Sequence, residues 1–429
     1  MRTFSQKVYT LQDCLIYAND NSLENKKQNY QQDIYHQNKI EAQGSFLPSV
    51  SASVGGNYSF GRSLDPETNT YQTKTNFNNN YNASLYLPLF RGLVRINNFK
   101  YSKAVETMGK HSKQAIKDNI SYNVIVSFYN AVYYGQLVAQ IKEKLDESEN
   151  NLFQSRKMEE LGVKAGADVA QMEANVAADK FSLIKQENIL HNAMIELKSI
   201  MNYPPEDSLF IDSSLERLTA DSNYDNPDSV FNNTMAFLPK VKEAQYQLKG
   251  AKYSSKTSLA GFLPTIGLSA GYGTNYFKNI GQEYEAPSYK NQMKNNAGQY
   301  IGLSVSIPIF NSLSIISSKK RAKSQFLIQK INYEQTINQL RKDVESAIAD
   351  FNGASKEYIQ AVKKLNSVEM AHSINIKKFE QGMISALELQ NSSNQLSQAK
   401  AEVTGMHVQY LIKKMQLDYF KGIPYIKEK

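Results

Sequence analysis

Ser49-Val50-Ser51-Ala52-Ser53-Val54 opens a stretch in which polar and apolar residues alternate as far as Phe60. The same alternation recurs in three other segments: 77–87, 265–276 and 299–307. A period of two over about ten residues predicts β-strands with one apolar and one polar face. A half-buried sheet of a soluble protein alternates in the same way. Here the polar positions are mostly small and uncharged, which favours strands of a membrane barrel around a water-filled lumen.

The ends and the number of these strands bear on the membrane interpretation. Aromatic residues gather near the far ends of two strands, where they could form an interfacial girdle: Tyr58, Phe60, Tyr272 and Tyr276. The connecting segments, 61–76 and 277–297, are long and polar, as extracellular loops are. Four strands cannot close a barrel, and a sheet in lipid cannot leave its edges unpaired. Three chains with twelve strands can close one, so a membrane-spanning sheet predicts a homotrimer.

Short landmarks recur in the same order in the two halves of the chain. Phe46-Leu47-Pro48 returns as Phe262-Leu263-Pro264, 216 positions later. Two longer landmarks return 220 positions later: Leu87-Pro88-Leu89-Phe90 as Ile307-Pro308-Ile309-Phe310, and Glu160-Leu161-Gly162-Val163 as Glu380-Gln381-Gly382-Met383. This order and spacing predict two internal structural repeats.

Each repeat is predicted to contain a helix, two strands, a long helix, a turn at glycine and a shorter helix. The long helices show apolar seams with gaps of three and four residues, which are typical of coiled coils. Repeat 1 is assigned to 1–203, with helices 11–46, 96–161 and 166–201 and strands 49–60 and 77–87. A linker at 204–228 precedes repeat 2 at 229–421, with helices 229–261, 312–381 and 385–420 and strands 265–276 and 299–307; residues 422–429 form a tail.

The predicted helix lengths indicate a long coiled-coil structure. At 1.5 Å per residue, the helix 96–161 extends roughly 100 Å, and its return helix reaches only about 54 Å. The first helix, 11–46, supplies about another 54 Å. The two shorter helices stacked end to end therefore match the long one.

Composition excludes several classes of protein. The 429 residues include no apolar run long enough for a spanning helix, and mean hydropathy is −0.50. The net charge of +8 is dispersed along helical segments, which argues against nucleic-acid binding. One cysteine, scattered histidines without an HExxH motif and the lack of a P-loop predict no enzyme, metal site or cofactor. The N-terminus, Met1–Lys7, lacks the apolar core of a signal peptide, as expected for an exported chain in mature form or for a cytosolic one.

The chain resembles the TolC-like family of outer-membrane efflux proteins. The landmarks above carry the resemblance, which extends from about Tyr9 to Pro424. It implies an α+β membrane protein in which a trimeric, 12-stranded transmembrane β-barrel continues into a long periplasmic α-helical coiled-coil tunnel. It also implies an outer-membrane location in a Gram-negative bacterium, contact with outer-membrane lipid, and a gate at the helical tip. The implied partners are a periplasmic adaptor (membrane fusion) protein and an inner-membrane RND or ABC transporter.

The resemblance also implies which residues form the gate. An acid six residues after each tip glycine corresponds to Asp168 and Glu388, and Glu388 would face the pore axis and attract cations. A second acidic position is Asn391 here, so the acidic ring is weakened. The tyrosine and arginine that lock the gate in family members correspond to Phe379 and Ile384, which favours closure by apolar contact among Phe379, Met383 and Ile384. The adaptor would dock on the tip turns: Leu161, Gly162, Val163, Gln381, Gly382 and Met383.

Two alternatives remain open from the residues alone. Asp168 and Glu388 lie in the first turns of helices, where acids interact favourably with the helix dipole without any role in a pore. The whole chain is also compatible with a soluble periplasmic coiled-coil scaffold that has small β-domains and no pore activity. Within the duct interpretation, drugs, metals and proteins are all possible substrates.

Overall fold

The computed structural model describes residues 7–64, 69–215, 225–281 and 287–426. The chain divides into two compact units. A helical unit contains residues 1–31, 110–243 and 334–429, and a sheet unit contains residues 32–109 and 244–333. In chain order the elements are β1 (Val8–Tyr9), α1 (Leu11–Asn21), α2 (Leu23–Gly44), β2 (Ser49–Leu64), β3 (Tyr71–Arg91), α3 (Val94–Glu160), α4 (Gly166–Met201), β4 (Phe210–Ile211), α5 (Pro227–Phe237), α6 (Pro239–Thr257), a 3-10 helix (Ser258–Phe262), β5 (Thr265–Ile280), α7 (Tyr289–Asn295), β6 (Gly298–Ser306), α8 (Ser314–Glu380) and α9 (Ala386–Phe420).

The sheet unit contains four antiparallel strands in the order β2-β3-β5-β6. Val50 pairs with Leu85, Leu85 with Ala270, and Ala270 with Ile301. Directly paired residues point to the same face of a sheet, so this register collects the apolar positions on one face. That face is open: Val50 is 73% exposed and Ile301 is 82% exposed. The opposite face carries Ser53, Asn82 and Gly273, which also pair in register.

The two outer strands differ in length, and a short helix covers part of the resulting edge. β6 pairs with β5 only as far as Gly273, although β5 continues to Ile280. Beyond that point the side-chain amide of Gln292 in α7 accepts from the backbone N–H of Phe277 at 2.9 Å and donates to its carbonyl at 2.9 Å. Asn296 donates to the carbonyl of Asn275 at 2.8 Å. These side chains take the place of a paired strand for this part of β5.

Three of the four predicted strands were too short, and the fourth was displaced by one residue. Strand 49–60 extends to Leu64, strand 77–87 spans Tyr71–Arg91, strand 265–276 extends to Ile280, and strand 299–307 is Gly298–Ser306. Segments 61–76 and 277–297, predicted as loops, therefore contribute to strands, and the second also holds α7. Residues 65–68 and 282–286 of these segments lie outside the described residues. Cross-strand pairs such as Arg62–Thr73 continue the ladder through polar residues, where hydrophobic alternation gives no signal.

The turns from strand to long helix require left-handed backbone. Gly92 and Leu93 have φ of +59° and +67° between β3 and α3, and Ser312 and Leu313 have φ of +42° and +63° before α8. A Cβ on Gly92 would lie 2.7 Å from the carbonyl oxygen of Ala260. Gly92 thus meets both a conformational and a steric requirement for glycine.

The helical unit has its core where α1, α3, α4 and α9 meet. The buried cluster combines apolar residues of these helices, including Leu15, Ile125, Leu197, Met201 and Val408. α3 and α8 are 67 residues long, whereas α4 and α9 have 36 and 35 residues. α4 ends at Asn202, whose left-handed φ of +53° stops the helix before Tyr203-Pro204.

The two predicted first helices are each interrupted. Helix 11–46 is α1 and α2, because the backbone leaves the helix at Ser22, whose hydroxyl accepts from the N–H of Asn25 at 3.2 Å and caps the next helix. Helix 229–261 is α5, α6 and the 3-10 helix, because Pro239 forces Leu238 out of helical geometry, at ψ of 122°.

The linker 204–228 includes β4, which pairs in parallel with β1, so it is tied to the start of the chain. Its residues 216–224, and residues 427–429 of the tail, lie outside the described residues. Among the helices of the described ranges, none combines the length and the apolar character needed to cross a membrane.

Candidate functional site

The two return turns of the helical unit are closed by main-chain atoms. Gly162 has φ of +72°, its N–H bonds to the carbonyl of Glu159 at 2.8 Å, and the N–H of Val163 bonds to that of Met158 at 2.8 Å. The turn from α8 to α9 repeats this pattern at Gly382, which also has φ of +72°. These bonds form the Schellman motif, which needs a residue that tolerates left-handed backbone. The glycines are therefore structural requirements of the turns.

Apolar side chains extend from both turns into solvent. Leu161, Val163 and Met383 are 78%, 70% and 68% exposed, and Gln381 is exposed beside Met383. Exposed apolar residues that cluster on a surface are typical of contact sites. The turns predicted as an adaptor-docking surface thus present free side chains.

Glu388 closes the N-terminus of α9. Its carboxylate accepts from the N–H of Ser385 at 3.0 Å, and its own N–H donates to the Ser385 hydroxyl at 3.2 Å. This reciprocal pair is a capping box, which satisfies two of the free amides at the helix start. The side chain remains exposed, as does Asn391 one turn further along α9. Glu388 thus stabilises the N-terminus of its own helix, as expected for an acid in the first turn. Its exposed side chain leaves a further role in a pore possible.

Asp168 occupies the equivalent position in α4 but makes a different contact. The cap residue of that helix, Ala165, has no side chain that could form a capping box. Asp168 is half-buried, and its charge acts on the ammonium of Lys164. Burial lowers the pKa of Lys164 below its usual range, and the charge of Asp168 partly opposes that change.

Lys164 and Phe379 connect the two turns. The Lys164 Nζ atom lies 3.3 Å from the ring centroid of Phe379, in cation–π geometry. Within the described residues Nζ has no hydrogen-bond partner, so the ring is its close contact. Phe379 is only 2% exposed and packs with Met172, Ala386 and Leu389. Of the three residues predicted to close the gate by apolar contact, Phe379 is buried within the protomer, Ile384 packs on the same cluster, and Met383 is exposed.

A cleft of about 450 Å³ lies between the turns. It is lined by the basic and acidic groups at this end of the helices and by backbone of the second turn, including Lys164, Asp168, Glu380, Gly382 and Glu388. Three carboxylates against one ammonium give this cleft a negative balance, which favours cations.

The sequence did not reveal a layer of buried polar side chains that links α3, α4 and α9 several helical turns away from the return turns. Lys144 Nζ of α3 lies 2.6 Å from Asp179 Oδ1 of α4 and 2.8 Å from Asn394 Oδ1 of α9. The hydroxyl of Ser148 donates to Asp179 Oδ2 at 2.5 Å. Ser148 interrupts the apolar seam of α3, and that interruption was the available signal.

A histidine completes the layer. His372 of α8 is 4% exposed; its Nε2 lies 3.1 Å from Glu147 of α3 and its Nδ1 3.0 Å from Ser392 of α9. In the described part of the chain, no group of three or more His, Cys, Asp or Glu residues could hold a metal ion. His372 is thus a bridge between helices.

Known proteins resemble the chain in sequence and in fold. The family model of the outer membrane efflux protein matches residues 232–421. Outer membrane protein TolC of Escherichia coli is 21% identical over 397 residues, 88% of this chain and 75% of its own length. The chain is thus similar to outer membrane efflux proteins of the TolC-like family in its second half by the family model, and over most of its length by pairwise comparison.

A second relative and a solved structure agree with this similarity. The proteases secretion protein PrtF of Dickeya chrysanthemi is 23% identical over 72% of this chain and 66% of its own length. The crystal structure of the CmeC outer membrane channel of Campylobacter jejuni superposes with a TM-score of 0.82 at 15% identity, over 98% of this chain and 87% of that one. These similar proteins are named as an outer membrane protein, a secretion protein and an outer membrane channel.

Proposed function

We propose that the chain is the outer-membrane exit duct of a tripartite efflux or type I secretion system. It conducts substrates passively from a periplasmic adaptor and an inner-membrane RND or ABC transporter to the outside. Three copies form the duct, with four strands from each in a twelve-stranded barrel, and the return turns form its periplasmic gate. The relatives named for efflux and for protease secretion support the same proposal.

The observation that carries the proposal is the sheet with an exposed apolar face, a polar face and two outer strands. Val50, Val54 and Phe60 on β2 and Ile301, Leu303 and Val305 on β6 expose more than half of their surface. A soluble scaffold would bury such a face, whereas a barrel in lipid requires it outside. β2 and β6 can pair with β6 and β2 of neighbouring copies, which removes both edges.

Conductance in planar bilayers tests the duct. Purified trimer should give stepwise ion currents, and a candidate adaptor should raise the fraction of time that channels are open. Release of the protein from outer membranes by salt washing, with no current in the presence or absence of the adaptor, would contradict the proposal and favour the scaffold.

Glu388→Gln tests the cation-attracting gate without disturbing the helix start. Glutamine can retain the capping box at this position, but it removes the negative charge. We expect a lower ratio of cation to anion permeability, measured from the reversal potential in a salt gradient. Asp168→Asn should act in the same direction. Unchanged selectivity in Glu388→Gln would limit Glu388 to its capping role.

A further inference from the structure

The sheet unit carries most of the positive charge of the protein. Residues 32–109 and 244–333 contain 18 Lys and Arg against 7 Asp and Glu, a formal charge of +11. The remaining residues contain 31 against 34, a formal charge of −3. An excess of this size raises the local concentration of anions around the sheet unit.

Two arginines of this unit line one groove. A groove of about 880 Å³ lies between the starts of α3 and α8 and the end of α6, and Arg91 and Arg321 are its charged residues. Among the described residues that line it, none is acidic. Within the described part of the chain, the side chains of Arg91 and Arg321 form no ion pair, hydrogen bond or ring contact, so both guanidinium groups are available to a ligand.

The rest of the lining suits an amphipathic ligand. Hydroxyl groups of Ser254, Ser314 and Ser318 offer hydrogen bonds, and the start of α8 adds the positive end of a long helix. Val94, Tyr101 and Ile315 form apolar wall beside them. A guanidinium presents a fork of donors that matches carboxylate, sulfate and phosphate oxygens.

The register of the sheet assigns the groove to the polar side. Arg91 pairs with Thr265, and Thr265 pairs with Ser306, so all three point to one face. That face also carries Gly267 and Ser304, and it is opposite to the exposed apolar face. In a barrel whose apolar face contacts lipid, Arg91 lies on the lumen side.

We propose that Arg91 and Arg321 form a binding station for organic anions in transit through the duct. The ligand carries an oxyanion, which the guanidinium groups bind, and an apolar ring or chain, which contacts Tyr101 and Ile315. The inference rests on the proposed function, because only a duct places this face along a transport path. In a trimer the station occurs three times.

Equilibrium binding of a simple probe tests the station. The probe is 1-naphthyl phosphate, added to full-length trimer in a nonionic detergent, and 1-naphthol is its uncharged counterpart. Arg91→Gln with Arg321→Gln should weaken phosphate-probe binding by at least about tenfold, because charge-assisted hydrogen bonds are lost. Naphthol binding should stay unchanged.

Lys320→Gln with Lys323→Gln is the matched control. It removes two positive charges from the same helix region, but neither lysine lines the groove. We expect its affinity for the probe to remain within about twofold of the wild-type value, since surface charges at a distance are screened by salt. An equal loss in both double variants would overturn the station in favour of a diffuse field, and no loss in the arginine variant would overturn it directly.

Further measurements distinguish failure of the binding station from misfolding of a variant and from failure of the proposed duct. Inorganic phosphate should displace the probe from wild-type trimer, which requires no variant; a lack of displacement would contradict an oxyanion site. Phosphatidylglycerol that co-purifies with wild-type trimer, but not with the arginine variant, would overturn the transit assignment in favour of a lipid headgroup. Normal wild-type conductance without probe binding would refute the station alone, whereas loss of conductance would refute the duct.

Discussion

Lys164 and Phe379 meet where the two return turns come together, and their contact is open to a direct test. Phe379→Leu retains apolar volume but removes the ring face below the ammonium. A desolvated cation–π contact contributes about 2 kcal/mol, so we expect a loss of that size in local stability. Hydrogen exchange of residues 158–170 and 376–390 should be faster in the variant.

Phe153→Leu provides the control for this prediction. Lys157 Nζ lies 4.3 Å from the Phe153 ring centroid, but that ring is 59% exposed. Exposed contacts of this kind contribute little, so exchange should stay near the wild-type rate. A double-mutant cycle with Lys164→Met isolates the pair; a coupling energy near zero would show that Phe379 acts through packing alone.

The raised pKa of Asp118 predicts how the free energy of unfolding varies with pH. Burial raises the pKa of Asp118 above its usual value of 3.8, although hydrogen bonds from Tyr419 and Gln114 lower it. A carboxyl with a raised pKa binds its proton more tightly in the folded state than in the unfolded state. Its contribution to stability is therefore lost as pH rises from about 4 through the folded pKa. Asp118→Asn should flatten this part of the urea-midpoint curve.

Asp13→Asn should act in the opposite direction. Hydrogen bonds from Thr10 lower the pKa of Asp13, so that carboxylate contributes stability above its unfolded pKa and loses it on acidification. Its removal should flatten the loss of stability on acidification below about pH 4, and it should leave the decline above that pH unchanged. Parallel pH curves for the two variants would contradict the assignment of either pKa shift.

For individual residues, the sequence identified the positions of candidate gate residues but did not predict which atoms their side chains contact. The distance of six residues from each turn glycine identified Asp168 and Glu388, and a first-turn acid was one of the two interpretations. That Glu388 caps Ser385 while Asp168 acts on Lys164 depends on rotamers and on neighbours from other helices. Phe379 was assigned to the gate by correspondence, and its burial follows from packing against Leu389 of the next helix and against Met172, which is distant in sequence.

Among the secondary-structure elements, α3 and α4 are joined by one buried ion pair. Asp179 is 2% exposed and binds both Lys144 and Ser148. Removal of one partner leaves a buried charge uncompensated, so Asp179→Ala should lower the free energy of unfolding by about 3–5 kcal/mol. Chemical denaturation of the purified protein, followed by circular dichroism, measures the loss.

Lys180→Ala tests the same pair of helices at an exposed ion pair. Lys180 Nζ lies 2.8 Å from Glu149, and both side chains are about half exposed. Such pairs contribute about 0–1 kcal/mol, because water and salt screen them. A comparable loss in both variants would indicate that the burial of the Lys144–Asp179 pair does not determine the effect, since alanine itself favours helix.

The elements differ in how well their ends could be predicted. For α3, α4, α8 and α9, bounds from the apolar seams and the turn glycines differ from the structural ones by at most two residues. The break between α5 and α6 could have been predicted from the sequence, because Pro239 disfavours helical geometry in the preceding residue, Leu238. The break at Ser22 could not, because it depends on buried amides of Asn19 and Asn25. α7 has no hydrophobic period, and it forms against the edge of β5.

At the scale of the whole molecule, an added lysine should impair assembly on the apolar face of the sheet but not on the polar face. Val54 is 67% exposed on the apolar face, and its neighbour Ser53 lies on the polar face. A lysine on the lipid face costs about 2–4 kcal/mol near the centre of a membrane. Val54→Lys should therefore reduce the amount of the proposed trimer that is recovered from outer membranes, measured by chemical cross-linking. Ser53→Lys, with the same added charge, should assemble normally.

One outcome would contradict the assignment of the apolar face to lipid. Equal recovery of both lysine variants would show that the apolar face does not contact lipid. Alternation alone defined these faces, because the side-chain period of a strand is fixed at two. The number of chains was inferred from the need to close edges, and the unequal lengths of β2 and β6 could not be foreseen from that need.

The return turns have a consequence for how the protein can change. Since main-chain bonds and one glycine close each turn, the side chains at Leu161, Val163, Gln381 and Met383 contribute little to folding. Mutations at these positions should leave the free energy of unfolding almost unchanged. Selection on them therefore acts mainly through the protein that contacts the turns. Partner choice can diverge quickly at these four positions while the helices stay constant, and residues grafted from a relative should transfer compatibility without redesign of the scaffold.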